Sequence, residues 1–205
     1  ATDEMTGRIV GRITSSTNRA VCLVRDLLDF TQARLVGQMP ITRSEVDLAA
    51  LVRKTAEDSS HTTVQAIEVA CSGDGTGELD PDRMEQVLVN LAQNAIKYGA
   101  KGTPVTIRLD GTAADRMSIE VHNVGEPIPE DGIERIFEPM QRATTISSNA
   151  GRSVGLGLFI VRSIVQAHGG SIRVTSTAEQ GTTFRVDLPR RAERRFLGRL
   201  VAHQA

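Results

Sequence analysis

Residues 80–98 read DPDRMEQVLVNLAQNAIKY, and this segment predicts a helix with two different faces. The Asp80 side chain can accept hydrogen bonds from the free amides at a helix start, and Pro81 suits the first helical position. We therefore expect a helix from Pro81 to about Tyr98. Its apolar residues recur at three- and four-residue steps and form one stripe that packs on a sheet: Met84, Val87, Leu88, Leu91 and Ala95.

A second, polar stripe lies roughly a third of a turn away on the same helix. It consists of Asn90, Asn94 and Lys97. Two amides and an ammonium in a row could hold a hydrated magnesium ion and the phosphates that it bridges. Asparagine and lysine are also ordinary surface residues, so a solvated polar face is the alternative interpretation.

Strand patterns occur on both sides of this helix. Residues 64–70 alternate like a strand and lead into a glycine-rich turn over residues 73–77. Residues 105–109 and 117–121 predict two more strands beside an Asp110-Gly111 turn.

The following part of the chain predicts one more helix and two more strands. Residues 125–152 show little periodicity and are rich in Pro, Ser and Thr, which predicts a long connection. Residues 154–168 predict a helix that ends at Gly169-Gly170, and residues 172–174 and 184–188 alternate as two final strands. We therefore expect an α+β fold in which a helical layer covers one mostly antiparallel sheet.

The first third of the chain predicts a long helix. Its apolar stripe consists of Ile9, Ile13, Ala20, Val24 and Leu27, widened by Leu23 and Leu28. A lone helix would leave this stripe exposed, so we expect a helix bundle, for example between two chains. Residues 37–40 break the pattern, and Asp47 can cap a second, short helix that turns Leu48, Leu51 and Val52 inward. We place the domain boundary here.

Composition excludes several classes of function. The 24 basic and 25 acidic residues almost cancel, so there is no general reason to expect a nucleic-acid partner. No apolar run is long enough to cross a bilayer, and no signal-peptide pattern is present, so we expect no membrane contact. Cys22 and Cys71 lack metal-like spacing and are expected to be buried core thiols rather than a disulfide, which indicates a reducing, cytoplasmic setting.

Two further segments could contact a ligand. Gly155-Leu156-Gly157-Leu158 opens the predicted 154–168 helix, where glycines let backbone amides approach a phosphate. Asn123-Val124-Gly125-Glu126-Pro127-Ile128 stands where a strand leaves the sheet, and a side-chain oxygen there could accept a hydrogen bond from an adenine amino group. Each segment has a plainer alternative, a tight turn.

The order of these segments resembles the motif order of bacterial sensor histidine kinases. Asn90 to Tyr98 resembles the N box of this family, Asn123 to Ile128 its first glycine box, and Ile136-Phe137-Glu138-Pro139 its F box. Gly155 to Leu158 resembles the second glycine box, and Gly181-Thr182-Thr183-Phe184 the closing one. The resemblance implies the Bergerat ATP-binding fold, a two-layer α/β sandwich shared with DNA gyrase, preceded here by a long helix.

The resemblance also implies roles for individual residues. Asn94 would coordinate Mg²⁺, Asn90 and Lys97 would contact the phosphates as the catalytic pair, and Tyr98 would line the nucleotide pocket. Asn123 would read the adenine base. The remaining ATP contacts expected from the motifs are Gly125, Ile128, Phe137, Gly155, Leu156, Gly157, Leu158 and Thr183.

Three positions depart from the family pattern. Asn123 stands where most members have an aspartate, Pro127 replaces a glycine, and Ser153 replaces the first glycine of the second box. An asparagine carbonyl can still accept a hydrogen bond, but the charge is gone and the amide must be correctly oriented. Asn90 stands where gyrase-type relatives have a glutamate that takes a proton from water.

The resemblance implies a domain division and a function. Residues 1–38 resemble the second helix of a dimerisation domain, residues 39–190 form the catalytic ATP-binding domain, and residues 191–205 form an arginine-rich tail, expected to be solvated from Arg190 onward. We expect a protein-histidine kinase module that uses ATP and Mg²⁺, forms a homodimer through the first helix, and serves a response-regulator receiver domain. The full-length protein could be anchored in a membrane through upstream sequence. The alternative is a non-catalytic, ATP-dependent interaction module.

No histidine of the chain stands in a phosphate-acceptor context. We expect His61, His122 and His168 to have structural roles, at a loop, a strand end and a helix end. The first dimerisation helix, which carries the acceptor in the family, is not evident. As this fragment, the chain is therefore expected not to phosphorylate itself.

Overall fold

The computed structural model describes residues 2–61, 63–140 and 155–192, with side chains of the first helix described at Thr6, Thr17 and from Ala20 onward. Its helices are α1 (Thr2–Val36), α2 (Leu48–Ser60), α3 (Pro81–Tyr98) and α4 (Gly157–Ala167). Its strands are β1 (Ser44–Asp47), β2 (Ile67–Gly73), β3 (Thr76–Leu79), β4 (Val105–Gly111), β5 (Arg116–Asn123), β6 (Ser171–Thr177) and β7 (Gly181–Pro189). Two 3₁₀ turns cover Glu130–Gly132 and Arg135–Phe137.

Five strands form one sheet in the order β2-β4-β5-β7-β6, in which only the β2-β4 pair is parallel. Helices α2, α3 and α4 pack together on one face of this sheet and enclose the core with it. The opposite face is polar, and a chain of ion pairs crosses it from Glu120 through Arg185 and Asp187 to Arg173. The expected helical layer over a mostly antiparallel sheet is therefore confirmed.

Helix α3 forms as predicted, from Pro81 to Tyr98. Asp80 Oδ1 accepts a hydrogen bond from the Arg83 amide at 3.1 Å, and Asp80 Oδ2 accepts one from the Thr42 amide at 2.6 Å. The five residues of the apolar stripe are at most 1% exposed. Full burial of a side chain such as Leu88 contributes about 1.5–3 kcal/mol, so this face fixes the helix on the sheet.

The N-terminal strand predictions were partly wrong. The strand expected at residues 64–70 runs over Ile67–Gly73, because Ile67, Val69 and Cys71 pair with core residues of β4, whereas Val64 is fully exposed. The glycine-rich segment after it holds strand β3, which pairs with the unpredicted strand β1. Gly77 of this strand packs closely against Met117: a Cβ at residue 77 would come within 2.7 Å of the Met117 methyl group, which favours glycine there.

Two other element boundaries differ from the sequence-based prediction. Gly111 belongs to β4, where it pairs with Gly73, rather than to the following turn. Helix α4 begins at Gly157. Residues 141–154, including Ser153 and the last twelve residues of the predicted connection, lie outside the described residues, as do residues 193–205 of the arginine-rich tail.

Several expected solvent exposures were also wrong. Cys22 is exposed and Cys71 half-buried, so neither is a fully buried core thiol. The Arg190 side chain, expected to be solvated, is only 12% exposed. Its guanidinium donates to the carbonyl oxygens of Asp74, Thr76, Gly111 and Ala113, so it ties the β2–β3 connection to the β4–β5 turn.

The C-terminal end of the long helix α1 contacts the layer formed by α3 and α4. The Asp29 carboxylate, 4% exposed, accepts hydrogen bonds from Arg83 and Gln86 of α3, each at 2.7 Å. The Phe30 ring meets the Phe159 ring of α4 edge to face, with centroids 5.5 Å apart. Among the described residues of the predicted apolar stripe, Val24, Leu27 and Leu28 are each more than half exposed, while Leu23 is half-buried.

Candidate nucleotide-binding site

The polar stripe of α3 faces the start of α4. A Cβ placed on Gly157 would lie 3.3 Å from Asn90 Oδ1, so the two elements meet at van der Waals distance. Asn90 and Asn94 are half-buried, while Lys97 is exposed one turn further on. The Lys97 ammonium lies 4.8 Å from the Tyr98 ring centroid, and Tyr98 is 42% exposed. The stripe and the glycine turn, far apart in sequence, are thus adjacent in space.

The start of α4 can receive an anion. Gly155 adopts a left-handed backbone with φ of +77°, which a residue with a side chain rarely adopts. Leu156 caps the helix without a side-chain hydrogen bond, so within the described residues no side chain occupies the first amides of α4. These amides and the helix dipole favour a negatively charged group next to Asn90.

Asn123 lies at the end of β5, on the same face of the sheet as the helices. It is 3% exposed, and its backbone pairs with Val105 on one side and Thr182 on the other. Gly125 continues the chain beside the end of α3, where a Cβ would come within 2.3 Å of the Tyr98 carbonyl oxygen. This close approach places Asn123 beside the C-terminal end of the α3 stripe.

A hydroxyl pair that the sequence analysis missed lies next to Asn123. The Ser176 Oγ accepts a hydrogen bond from the Ile128 amide at 2.9 Å and lies 2.7 Å from Thr182 Oγ1. Thr182 is the cross-strand neighbour of Asn123. Residues at the same register of neighbouring strands share a face, but the register of β5 and β7 is not visible in the sequence.

Thr183, predicted as an ATP contact, lies on the opposite face of the sheet. Its hydroxyl pairs with His122 Nδ1 at 3.0 Å, away from Asn123. Successive strand residues point to opposite faces, so the choice between the two threonines of Gly181-Thr182-Thr183 was wrong by one residue. Thr182, not Thr183, lies on the face that carries Asn123.

Phe137 is a buried anchor of the segment after β5. It is 6% exposed, meets Phe184 edge to face with centroids 6.3 Å apart, and lies under the Arg162 guanidinium. Leu156 and Leu158 also pack against the core. Phe137, Leu156 and Leu158 therefore stabilise, through core packing, the segments that carry the candidate site.

The histidines and acidic residues do not form a reactive centre in the described part of the chain. His168 is fully buried between α4 and Asp80, and burial lowers the pKa of its imidazole. Among the described residues, no group of three or more histidine, cysteine or acidic side chains could hold a metal ion. Asn90 and Asn94 carry amide oxygens, which are hard ligands of the kind that Mg²⁺ accepts.

A second depression lies at the other end of the sheet. This open cleft of about 1260 Å³ is lined by residues such as Asp74, Asp115 and Arg190, and it contains none of the predicted site residues. Its walls are the turns that the Arg190 guanidinium holds together.

Comparisons with known proteins show the family to which the chain is similar. Residues 79–192, more than half of the chain, match the family described as histidine kinase-, DNA gyrase B- and HSP90-like ATPases. Sensor protein CutS of Streptomyces coelicolor is 30% identical over 88% of this chain and 44% of its own length. The catalytic domain of histidine kinase ThkA superimposes with a TM-score of 0.63 at 29% identity, covering 74% of this chain and 98% of that domain.

Full-length ShkA in complex with AMPPNP superimposes with a TM-score of 0.72 at 28% identity, covering 85% of this chain and 36% of that protein. The chain spans less than half the length of the curated relatives that it matches. None of the helices in the described ranges is both long and apolar enough to cross a membrane.

Proposed function

This chain belongs to the family of histidine kinase-, DNA gyrase B- and HSP90-like ATPases, and from that premise we propose that it is the ATP-binding catalytic module of a two-component sensor histidine kinase. Its reaction would transfer the γ-phosphoryl group of ATP to a histidine presented by another helix. The observation that carries the proposal is the contact of Asn90 with Gly157, because it brings the polar stripe of α3 to the anion-binding start of α4.

The triphosphate would lie between α3 and α4. The first amides of α4 would donate to phosphate oxygens, and Lys97 would offset their charge from the other side. Asn90 would orient the phosphates through its amide. A neutral amide cannot take a proton from water, so Asn90 would bind the γ-phosphate without activating hydrolysis. That property suits a kinase, which must keep its phosphoryl group until the acceptor arrives.

The residues present fit a magnesium ion that is held mainly by ATP. Mg²⁺ usually keeps several waters and binds substrate phosphates with only one or two protein oxygens. Asn94, half-buried and one turn from Asn90, would supply the protein oxygen. When bound, the ion would neutralise charge that develops on the phosphates.

The purine base would lie at Asn123, with Gly125, Ile128 and Tyr98 around it. Burial of Asn123 and its position beside the end of α3 support this assignment. The ribose and phosphates would then extend along the α3 stripe toward Gly157.

The assembly and setting follow from α1 and the two thiols. The exposed apolar stripe of α1 would pair with the same helix of a second copy, which forms the homodimer. A response-regulator receiver domain would take the phosphoryl group onward. The thiols Cys22 and Cys71 are free, which suits the reducing cytoplasm, where ATP is available.

Calorimetry tests the binding site. Titration with ATP should show tight binding only when Mg²⁺ is present, and Asn94→Ala should remove that dependence. Gln93→Ala, on the exposed side of the same turn, serves as the matched control. An Asn94→Ala chain that binds Mg-ATP as tightly as the parent would refute the metal assignment.

A transfer assay tests the activity. The chain is mixed with γ-labelled ATP and a separate dimerisation domain that carries an intact acceptor helix. Acid-labile label should appear on that domain and not on the chain alone. Binding of ATP without any transfer would leave only an interaction module.

A further inference from the structure

Asn123 is buried, but its side chain is not committed to any partner. Its backbone is held on both sides by β4 and β7, and 97% of its surface is removed from solvent. Among the described residues, no group makes a hydrogen bond with its amide oxygen or nitrogen. Within the described residues, Thr55 Oγ1 is the one fully enclosed side-chain atom that lacks a partner, so the Asn123 amide still reaches the surface, where a ligand or water can complete it. Asn123 therefore presents either its oxygen or its NH₂ group to a ligand, by rotation of the amide about its last bond.

The hydroxyl pair beside Asn123 is reversible in the same way. Between Ser176 and Thr182, at 2.7 Å, either oxygen can be the donor. When Ser176 donates, the Thr182 hydroxyl hydrogen is free for an acceptor, and when Thr182 donates, its lone pairs can receive a hydrogen. The hydrogen bonds and ion pairs of the described residues place no carboxylate and no cation on Asn123, Ser176 or Thr182. Within the described ranges, no charged group therefore fixes which of these atoms donates and which accepts.

The 6-aminopurines and the 6-oxopurines differ in which ring position donates a hydrogen bond and which accepts one. A 6-aminopurine donates a hydrogen bond at position 6 and accepts one at N1, whereas a 6-oxopurine accepts at position 6 and donates at N1. A carboxylate can only accept, so it selects the amino form and repels the oxo form. An amide and a hydroxyl pair that both reverse can match either pattern.

We propose that this site binds 6-oxopurine nucleoside triphosphates as well as ATP, and that Asn123 is the residue that permits both. The inference rests on the proposed function, because it takes Asn123 as the contact of the base. It defines the substrate class as purine nucleoside triphosphates in general.

Calorimetry with Mg²⁺ and three nucleotides tests the proposal. The nucleotides are ATP, inosine triphosphate, and purine riboside triphosphate, which has no group at position 6. In the parent chain, the Kd values of ATP and inosine triphosphate should lie within about tenfold of each other. Both should be clearly tighter than purine riboside triphosphate, since that ligand leaves the Asn123 amide unpaired.

Asn123→Asp is the decisive variant. A fixed acceptor should weaken inosine triphosphate relative to ATP by a further tenfold to hundredfold, roughly the effect of leaving one buried polar group unpaired. Thr183→Val is the matched control, because Thr183 lies one register position away on the opposite face of the sheet. Its ratio of the two Kd values should equal that of the parent.

Each outcome decides a different statement. If ATP binds and inosine triphosphate is more than tenfold weaker in the parent, the inference is refuted while the proposed function stands. Purine riboside triphosphate binding as tightly as ATP would also refute it, because position 6 would then not be read. If none of the three binds, the proposed function fails and the inference fails with it. Should Asn123→Asp not fold, as checked by thermal unfolding, the parent ratios alone decide.

Discussion

Replacing His168 by leucine should destabilise the chain and remove part of its pH dependence. His168 is fully buried, its Nδ1 lies 2.8 Å from the Ile164 carbonyl oxygen, and its Nε2 lies 3.0 Å from the Asp80 amide nitrogen. A carbonyl can only accept and an amide N–H can only donate. The ring is therefore neutral, with its hydrogen on Nδ1.

The size of the effect follows mainly from the bond to Asp80. Leucine fills much of the space of the ring but cannot accept from the Asp80 amide, and a buried N–H left without a partner costs about 1–3 kcal/mol. The Ile164 carbonyl oxygen keeps the hydrogen bond from the His168 backbone amide at 3.1 Å. We therefore expect His168→Leu to lower the free energy of unfolding by about 1–3 kcal/mol at pH 7.5. Part of this loss acts on α3, because Asp80 is also the residue that caps it.

The pH dependence has a definite sign. Burial lowers the pKa of His168 from its ordinary value of 6.5. Below about pH 6.5 the unfolded chain binds a proton that the folded chain does not, so stability falls as the pH falls through this range. The stability contribution is complete above pH 6.5 and is lost toward the lower, folded-state pKa. In the His168→Leu variant, the free energy of unfolding should therefore fall less steeply as the pH is lowered below 6.5.

Urea denaturation at pH 7.5 and pH 5.5 measures both effects. His61→Gln is the control, because His61 is exposed just after α2 and should keep the parent slope. A His168→Leu chain that loses less than about 1 kcal/mol, or that keeps the full difference between the two pH values, would refute this account of the ring.

Two further substitutions separate binding from stability. Gly157→Ala should leave the unfolding temperature unchanged, because Gly157 has no positive φ, but its methyl group, 3.3 Å from Asn90 Oδ1, should weaken Mg-ATP binding about tenfold by calorimetry; equal affinity would contradict the placement of the phosphates. Arg83→Met removes the charge partner of buried Asp29 and should cost about 1–3 kcal/mol, less than a rigid buried pair because α1 can separate from α3. Hydrogen exchange over residues 20–36 should rise in this variant. Lys54→Met, which breaks an ion pair with a 60% exposed lysine, should leave the stability essentially unchanged because solvent screens the pair, and a loss as large as that of Arg83→Met would count against the interpretation.

Helix α3 could be predicted from the sequence because its signals are local. The cap at Asp80, the proline after it and the spacing of the apolar residues all lie within twenty residues. The separation of Asn90 and Asn94 from the buried stripe follows from helix geometry alone. The polar stripe could therefore be predicted before its surroundings were known.

Strands β1 and β3 could not be predicted because their stability comes from elsewhere in the chain. Each has four residues, and β3 includes a glycine whose missing side chain makes room for Met117. Arg190 escaped prediction for a similar reason. Its partners are backbone carbonyls of two separate segments, residues 74–76 and 111–113, and backbone groups leave no mark in a sequence.

The surroundings of Asn123 could not be predicted, because the register of the strands is not visible in the sequence. The neighbour of Asn123 across the strands could be Thr182 or Thr183, and a slip of one residue moves a side chain to the other face. Ser176 joins the group only because β6 pairs with β7 in the register that places it opposite Thr182. Local pattern predicted the strands, and non-local pairing determined which side chains meet.

Two parts of the candidate site are stabilised differently: the asparagine side chains rest on the core, and the start of α4 rests on glycine backbone. Substitutions in the two parts should therefore affect stability and binding differently. Asn90 and Asn94 project from a helix whose other face is fully buried, and Asn123 is held by a strand on each side. Changes to that support should reduce stability and binding together. The entrance to α4 depends on the left-handed turn at Gly155 and on the space that Gly157 leaves beside Asn90. Little core packing is lost when that space is filled, so binding there can change while the fold remains, which is the separation that Gly157→Ala measures.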